Sequence, residues 1–174
     1  MFSSNGILFN HEGKTRGENF VTRKITRFVA KYNFEKKGIL YLGNMSAKRD
    51  WGYAPEYVEA MWKILQYKKA DDFVIASNKA HSVREFVIES FKLIGIKIIF
   101  KGKEYNEVGY DAKTKKILVK SIKYYYRKND VENLVGNYSK AKKLLNWEPK
   151  TKFKALVEIM IKEDLKVYQK EQKL

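Results

Sequence analysis

Six arginines stand among 30 lysines in this sequence: Arg16, Arg23, Arg27, Arg49, Arg84 and Arg127. Lysine serves wherever a point charge suffices. Arginine is needed where a planar fork must meet a phosphate or carboxylate with two parallel hydrogen bonds. Arg49 has the most suggestive setting, in Lys48-Arg49-Asp50-Trp51-Gly52, between a glycine-bearing turn and a sharply amphipathic stretch. Arg84, close to Glu85 and Glu89, reads as a surface ion pair that contributes little.

Other residues invite chemistry and mostly fail the spacing test. Gly13-Lys14-Thr15 looks like the end of a phosphate-binding loop, but the position five before Gly13 is Leu8, where that motif needs glycine. Tyr-x-x-x-Lys pairs occur at Tyr32/Lys36, Tyr124/Lys128 and Tyr138/Lys142, close to the chance expectation of about two for so many tyrosines and lysines. No glycine-rich dinucleotide fingerprint is present in the sequence. His11, at the end of an apolar run, is either a cofactor contact or a satisfied structural histidine; His81 reads as structural. The two histidines lack metal-ligand spacing, and the absence of cysteine excludes disulfides, thiolate metal sites and a cysteine nucleophile, so no metal site is expected.

The chain has 174 residues, 44% of them hydrophobic, enough to bury a core. No apolar run approaches the roughly 20 residues of a membrane span, and no membrane partner is expected. The net charge of +16 suits an anionic partner. The lysines, however, are spread over nearly every segment, where a nucleic-acid face concentrates charge and mixes in arginine, so the balance reads as a solvated surface rather than a nucleic-acid site.

The elements that must position these residues alternate strand and helix, which argues α/β. Residues 5–10 (NGILFN) form a strand-length run, followed by a polar loop and a helix with Val21, Ile25, Phe28, Val29 and Tyr32 inward, leaving Arg23, Lys24, Arg27 and Lys31 off the core face. Residues 38–43 give another strand. Pro55 opens a helix whose stripe Val58, Met61, Trp62 and Leu65 is expected to be its core side. Strands follow at 73–76 and 96–100, with a hairpin through Asp111 to Lys115. Ser82 and Glu85 have capping-box spacing for a helix that stops at Gly95. Ser139 is expected to cap a short helix. The last helix buries Phe153, Leu156, Val157, Met160, Ile161 and Leu165 before a charged tail.

Read together, NGILFNHEGKTRGENFVTRKITR, GNMSAKRDWGYAPEYVEAMW, FVIASNKAHSVREFV and YYRKNDVENLVGNYSKAKKLLNWEP resemble, in order, the C-terminal half of GDP-mannose 4,6-dehydratase, an extended short-chain dehydrogenase/reductase. Arg-Asp-Trp-Gly and Asn-Trp-x-Pro point to nucleotide-sugar enzymes in general. Asn-Gly-Ile-Leu-Phe-Asn-His-Glu with Asn-Phe-Val-Thr-Arg-Lys-Ile points to this family. The resemblance implies the end of a Rossmann-type sheet plus the smaller α/β substrate domain: residues 1–37 finishing the cofactor-domain sheet and carrying the substrate helix, 38–165 the substrate domain, and 166–174 a tail.

The resemblance also implies roles. Arg49 would help bind the nucleotide diphosphate, His11 and Arg16 would contact NADP, Asn5 would face the sugar nucleotide, and Lys24 would lie on the substrate helix. Arg127 falls on the arginine of an Arg-Pro-x-Glu pattern that closes over substrate. That pattern here reads Arg127-Lys128-Asn129-Asp130, with Asp130 in the glutamate position for a nucleotide hydroxyl. The family reaction oxidises C4 of the mannosyl unit with NADP, eliminates water across C5–C6 and returns the hydride to C6. The glycine-rich turn and the Thr/Ser, Glu, Tyr and Lys that do this chemistry match nothing in the sequence. The expectation is therefore a truncated or split form, cytoplasmic, binding GDP-mannose, with no catalytic residue of its own, and inactive without a separate N-terminal half or a homo-oligomer of the full enzyme. Two rivals stay open: a non-catalytic basic remnant that binds nucleotides or RNA, and another nucleotide-sugar dehydratase or epimerase.

Overall fold

The computed structural model describes residues 2–127, 131 and 133–173. In chain order the elements are β1 (Gly6–Leu8), β2 (Asn10–Glu12), α1 (Val21–Glu35), β3 (Leu40–Leu42), β4 (Lys48–Tyr53), α2 (Ala54–Gln66), β5 (Phe73–Ile75), β6 (Ala80–Ser82), α3 (Val83–Lys92), β7 (Ile98–Lys101), β8 (Val108–Asp111), β9 (Ile117–Ser121), β10 (Asn133–Leu134), α4 (Ser139–Leu145) and α5 (Phe153–Glu171). The α/β class is as expected. The compact units interleave along the chain, however: one is Met1–Gly13, Lys48–His81 and Asn133–Leu156, the other Lys14–Ala47, Ser82–Glu132 and Val157–Leu174. A division at residue 37 does not capture this, because β1 finds its partner strand only at residue 73.

In the first unit β1 runs parallel to β5, with Gly6 opposite Phe73 and Leu8 opposite Ile75. The expected single strand over residues 5–10 is two strands, because the chain changes sheets at Phe9. Phe9 N–H still donates to the Ile75 carbonyl (2.9 Å), while Asn10 already stands opposite Trp51. β4 lies at the centre of the second sheet, flanked in parallel by β2 and β10 and also paired with β6.

Above these strands α2 buries Tyr57, Ala60 and Ile64 against Phe73, Ile75, Ala141, Leu145 and Trp147. This corrects the expected core stripe: Val58, Met61, Trp62 and Leu65 are all exposed. Helical spacing decides which residues share a face, and tertiary packing decides which face is buried. Here Tyr57 selects the face, its ring occupying the space where a Cβ on Gly52 would stand (2.1 Å). Ser139 does not cap α4 either. It is the first helical residue, and its N–H donates to Asn137 Oδ1 at 2.9 Å.

In the second unit β7, β8 and β9 form an antiparallel meander, with the expected hairpin between β8 and β9, and β3 joins β9 in parallel. α3 starts with the expected capping box: Ser82 Oγ accepts the Glu85 N–H at 3.1 Å and Glu85 Oε2 accepts the Ser82 N–H at 2.6 Å. Arg84 is more than a surface pair. It forks onto the buried Glu107 carboxylate at 2.5 and 2.9 Å and reaches Ser46. The expected tail is mostly helix, since α5 runs to Glu171 and buried Tyr168 donates its hydroxyl proton to Glu35. Among the described residues no helix is long and apolar enough to cross a membrane.

Arg23 was expected off the core face and is buried at 8% exposure. Its guanidinium pairs with Asp164 of α5 at 2.8 Å and donates to the carbonyls of Lys14 and Arg16. Burial raises the Asp164 carboxyl above its ordinary value despite the hydrogen bond from Thr26 and the nearby charges of Arg23 and Arg27. Desolvation thus outweighs attraction, as is common for buried ion pairs. Removing one partner should be far worse than removing both. Arg23→Met is expected to lower stability by about 3–5 kcal/mol in urea unfolding at pH 7, and Arg23→Met with Asp164→Leu to recover most of that loss.

Candidate functional site

In the first unit the site is a corner where β4 runs into α2 without a loop. Asp50 is fully buried, and its carboxylate accepts the Ser77 N–H at 2.7 Å and the Gly136 N–H at 3.2 Å. One side chain thereby ties β4 to the segment after β5 and to the segment before α4. Trp51, next along, is buried and stacked on Phe153 (6.1 Å, 16° between ring planes), and Phe153 stacks on His81 (3.9 Å, 9°). His81 and Phe153 line a cavity of about 350 Å³ together with Ser77, Lys79, Thr151 and Lys152. Gly52 leaves room for Tyr57, whose phenol is held well above its usual range by burial and by the charges of Asp50 and Glu56. Its hydroxyl has no hydrogen-bond partner among the described residues.

Arg49 sits on this pinned backbone, half exposed, with Nη1 donating to the Lys48 carbonyl at 2.7 Å and Leu134 of β10 opposite it in register. His11, on the neighbouring strand β2, lies 2.9 Å from the Phe9 carbonyl through Nδ1. A carbonyl only accepts, so Nδ1 carries the proton and, in the neutral ring, Nε2 is the acceptor. The ring leans on Tyr57, centroids 5.2 Å apart. Asn5 belongs to the other sheet of this unit. Its backbone N–H and side-chain amide both donate to Asp72 Oδ1, at 3.2 and 2.8 Å, which fastens β1 to the approach to β5.

The second unit holds the remaining described candidates. Arg16 is half exposed, its guanidinium over the Phe20 ring at 3.4 Å. Lys24, on α1, places Nζ over the Tyr125 ring at 3.9 Å, and partial burial lowers its pKa. Arg127 is exposed two residues beyond Tyr125, at the end of the turn Lys123–Tyr125. That turn packs so tightly on Gly43 that a Cβ there would lie 2.1 Å from the Tyr125 carbonyl oxygen. Asp130 lies outside the described residues.

The structure therefore sets Arg49 and His11 on adjoining strands of one sheet, and brings Lys24 to the turn that leads to Arg127. Sequence reasoning missed Asp50, Tyr57 and Tyr125 as organising residues. Asp50 left little signal, since a carboxylate in Lys48-Arg49-Asp50 reads as surface charge.

The architecture has known counterparts. An RMD from Pseudomonas aeruginosa, solved with NADPH, superposes with TM-score 0.72 at 13% identity, over 92% of this chain and 47% of that one. A dTDP-glucose 4,6-dehydratase from Bacillus anthracis, solved with NAD, gives 0.69 at 18% identity over 97% and 45%. The fold is accordingly one that both of these proteins contain over somewhat less than half of their chains.

Sequence comparison narrows the class. The family model described as GDP-mannose 4,6 dehydratase matches residues 1–160. GDP-mannose 4,6 dehydratases from Dictyostelium discoideum and Homo sapiens are 56% and 50% identical over 165 and 167 residues, covering 95% and 96% of this chain. The chain belongs to the GDP-mannose 4,6-dehydratase family. It spans 46% and 45% of the length of those two relatives.

If the Asp50 carboxylate organises the corner, Asp50→Ala strands two inward-facing N–H groups. The expected cost is about 1–3 kcal/mol for each donor left unpaired, read as a lowered urea midpoint. Amide exchange at Ser77 and Gly136 should rise as well.

Proposed function

We propose that this chain supplies the GDP-sugar-binding part of a GDP-mannose 4,6-dehydratase, an NADP-dependent lyase that converts GDP-mannose to GDP-4-keto-6-deoxymannose. The observation that carries the reading is Arg49 on a strand whose next residue, Asp50, is locked from behind by two backbone donors. A forked cation on a rigid corner can meet a diphosphate bidentately, with little left to order on binding. Lys24 and Arg127, on the second unit, carry positive charge at positions that the family resemblance assigns to substrate binding.

His11 and Arg16 fit a supporting role toward NADP, through an acceptor nitrogen and a guanidinium. The cofactor supplies the hydride acceptor and donor of the reaction. The sequence contains no dinucleotide-binding glycine pattern, so the main cradle and the proton-transfer groups must come from other polypeptide, and the chain by itself is expected to form no product from GDP-mannose and NADP. A cytoplasmic setting belongs to the same proposal and rests on the family resemblance.

Thermal-shift and calorimetric titration of the chain tests the reading against GDP, GDP-mannose, NADP and dextran sulfate. A selective response to GDP and GDP-mannose is expected. Arg49→Ala should weaken GDP binding roughly 10- to 100-fold, the value of one or two charge-assisted hydrogen bonds. An equal response to dextran sulfate, falling steeply with salt, would favour the basic-remnant reading instead.

A further inference from the structure

Residues 14–20, which lead into α1 and carry Arg16, are tied down from α1 itself, and every residue involved belongs to the second unit. Arg23 Nη1 donates to two carbonyls of this loop, that of Lys14 and that of Arg16, the latter at 3.3 Å. Its Nη2 faces Asp164 of α5 at 2.8 Å. One turn further along α1, Arg27 brings Nε to 3.4 Å from Glu18 Oε1 and gives Nη2 to Glu171 of α5 at 3.0 Å. Inside the loop, the Phe20 N–H donates to the Gly17 carbonyl at 3.1 Å, and the Phe20 ring carries the Arg16 guanidinium at 3.4 Å.

Stability does not account for this arrangement. Desolvation outweighs attraction at Asp164, so two apolar side chains of similar volume would fill the same space at little loss. An apolar pair cannot donate, however. Two loop carbonyls aimed at one guanidinium fix the peptide planes that follow Lys14 and Arg16, and with them the direction in which the Arg16 side chain leaves the backbone. A lysine in place of Arg23 would carry the charge without the planar fork that serves carboxylate and carbonyls together. Asp164 in turn supplies the counter-charge that lets this guanidinium stay at 8% exposure.

We propose that Arg23, held by Asp164, is a positioning residue for Arg16, so that α5 presets a loop whose task is to meet an anionic ligand. A loop ordered before its ligand arrives has little freedom left to lose on binding. The buried pair thus gives up stability for a fixed loop conformation. The proposal rests on the NADP role given to Arg16 above and adds what holds Arg16 in place.

Limited digestion with trypsin reads the loop directly. The enzyme cuts after lysine and arginine, so the Lys14–Thr15 and Arg16–Gly17 bonds are targets, and a bond must leave its folded conformation to be cut. Arg23→Met with Asp164→Leu is expected to unfold in urea near the midpoint of the unsubstituted chain, yet to be nicked at those two bonds at least tenfold faster. Cleavage after Lys92 and Lys113, elsewhere in the same unit, should be unchanged. Arg23→Lys keeps a charge for Asp164 without the fork and is expected to be nicked as fast as the double variant. Nicking of either at the unsubstituted rate overturns the proposal. So does equal acceleration after Lys92 and Lys113, since the pair would then serve only the fold. NADP titration followed by thermal shift separates the two readings. A response that Arg16→Ala abolishes should be lost in the double variant as well, and its survival there overturns the positioning role. A loosened loop in the variants, with no NADP response from the unsubstituted chain, sinks only the cofactor role of Arg16.

Discussion

A single buried carboxylate holds the candidate site together. Asp50 has no exposed surface, and burying a charge is costly unless donors meet it inside. Two backbone N–H groups, from Ser77 and Gly136, do so, and they belong to segments 27 and 86 residues away in sequence. The rest of the corner depends on that junction. β4 is fixed in place, Trp51 stacks on Phe153, and Gly52 admits Tyr57, which in turn sets the buried face of α2. Arg49 stands on the strand that this junction fixes, next to Asp50 itself.

The arginines divide between two uses. Arg84 forks onto Glu107, Arg27 shares one nitrogen, Nη2, between both Glu171 oxygens at 3.0 and 3.1 Å, and Arg23 joins α1 to α5 through Asp164. Arg84 uses the planar fork, and all three show that a protein carboxylate claims a guanidinium as readily as a ligand would. Scarcity of arginine therefore marked rigid recognition without separating scaffold from site. Position distinguishes the candidate from the rest: Arg49 follows the turn after β3 and precedes a pinned corner, whereas Arg23 and Arg27 lie along a helix that packs within its unit.

Local chemistry was legible and distant packing was not. The Ser82–Glu85 capping box and the β8–β9 hairpin depend on residues a few positions apart, and both stand as expected. The α2 stripe was misassigned because Val58, Met61, Trp62 and Leu65 look no different from a core face until Tyr57 finds its space at Gly52. Residues 5–10 hid a change of sheet at Phe9 that only strands at 51 and 73 reveal. The helical end of α5 was masked by its charge; one buried tyrosine, Tyr168, bonded to Glu35, anchors it. The candidate residues themselves were legible through the family resemblance, while the contacts that position them were not.

The surface chemistry adds a final step. In a chain of net charge +16, exposed helix faces carry lysine almost by default: Lys31 on α1, and Lys162, Lys166 and Lys170 on α5. The Val58–Leu65 flank of α2 carries none, although an exposed lysine there would cost the helix nothing in propensity and would improve solubility. A sequence that places lysine so freely elsewhere carries a continuous apolar strip on this helix, above β1, which among the described residues pairs with β5 alone. The corner around Asp50 and the flank of α2 are thus opposite ends of one short segment: Arg49 stands on a strand that Asp50 fixes, and Trp62, thirteen residues later, on an exposed helix face.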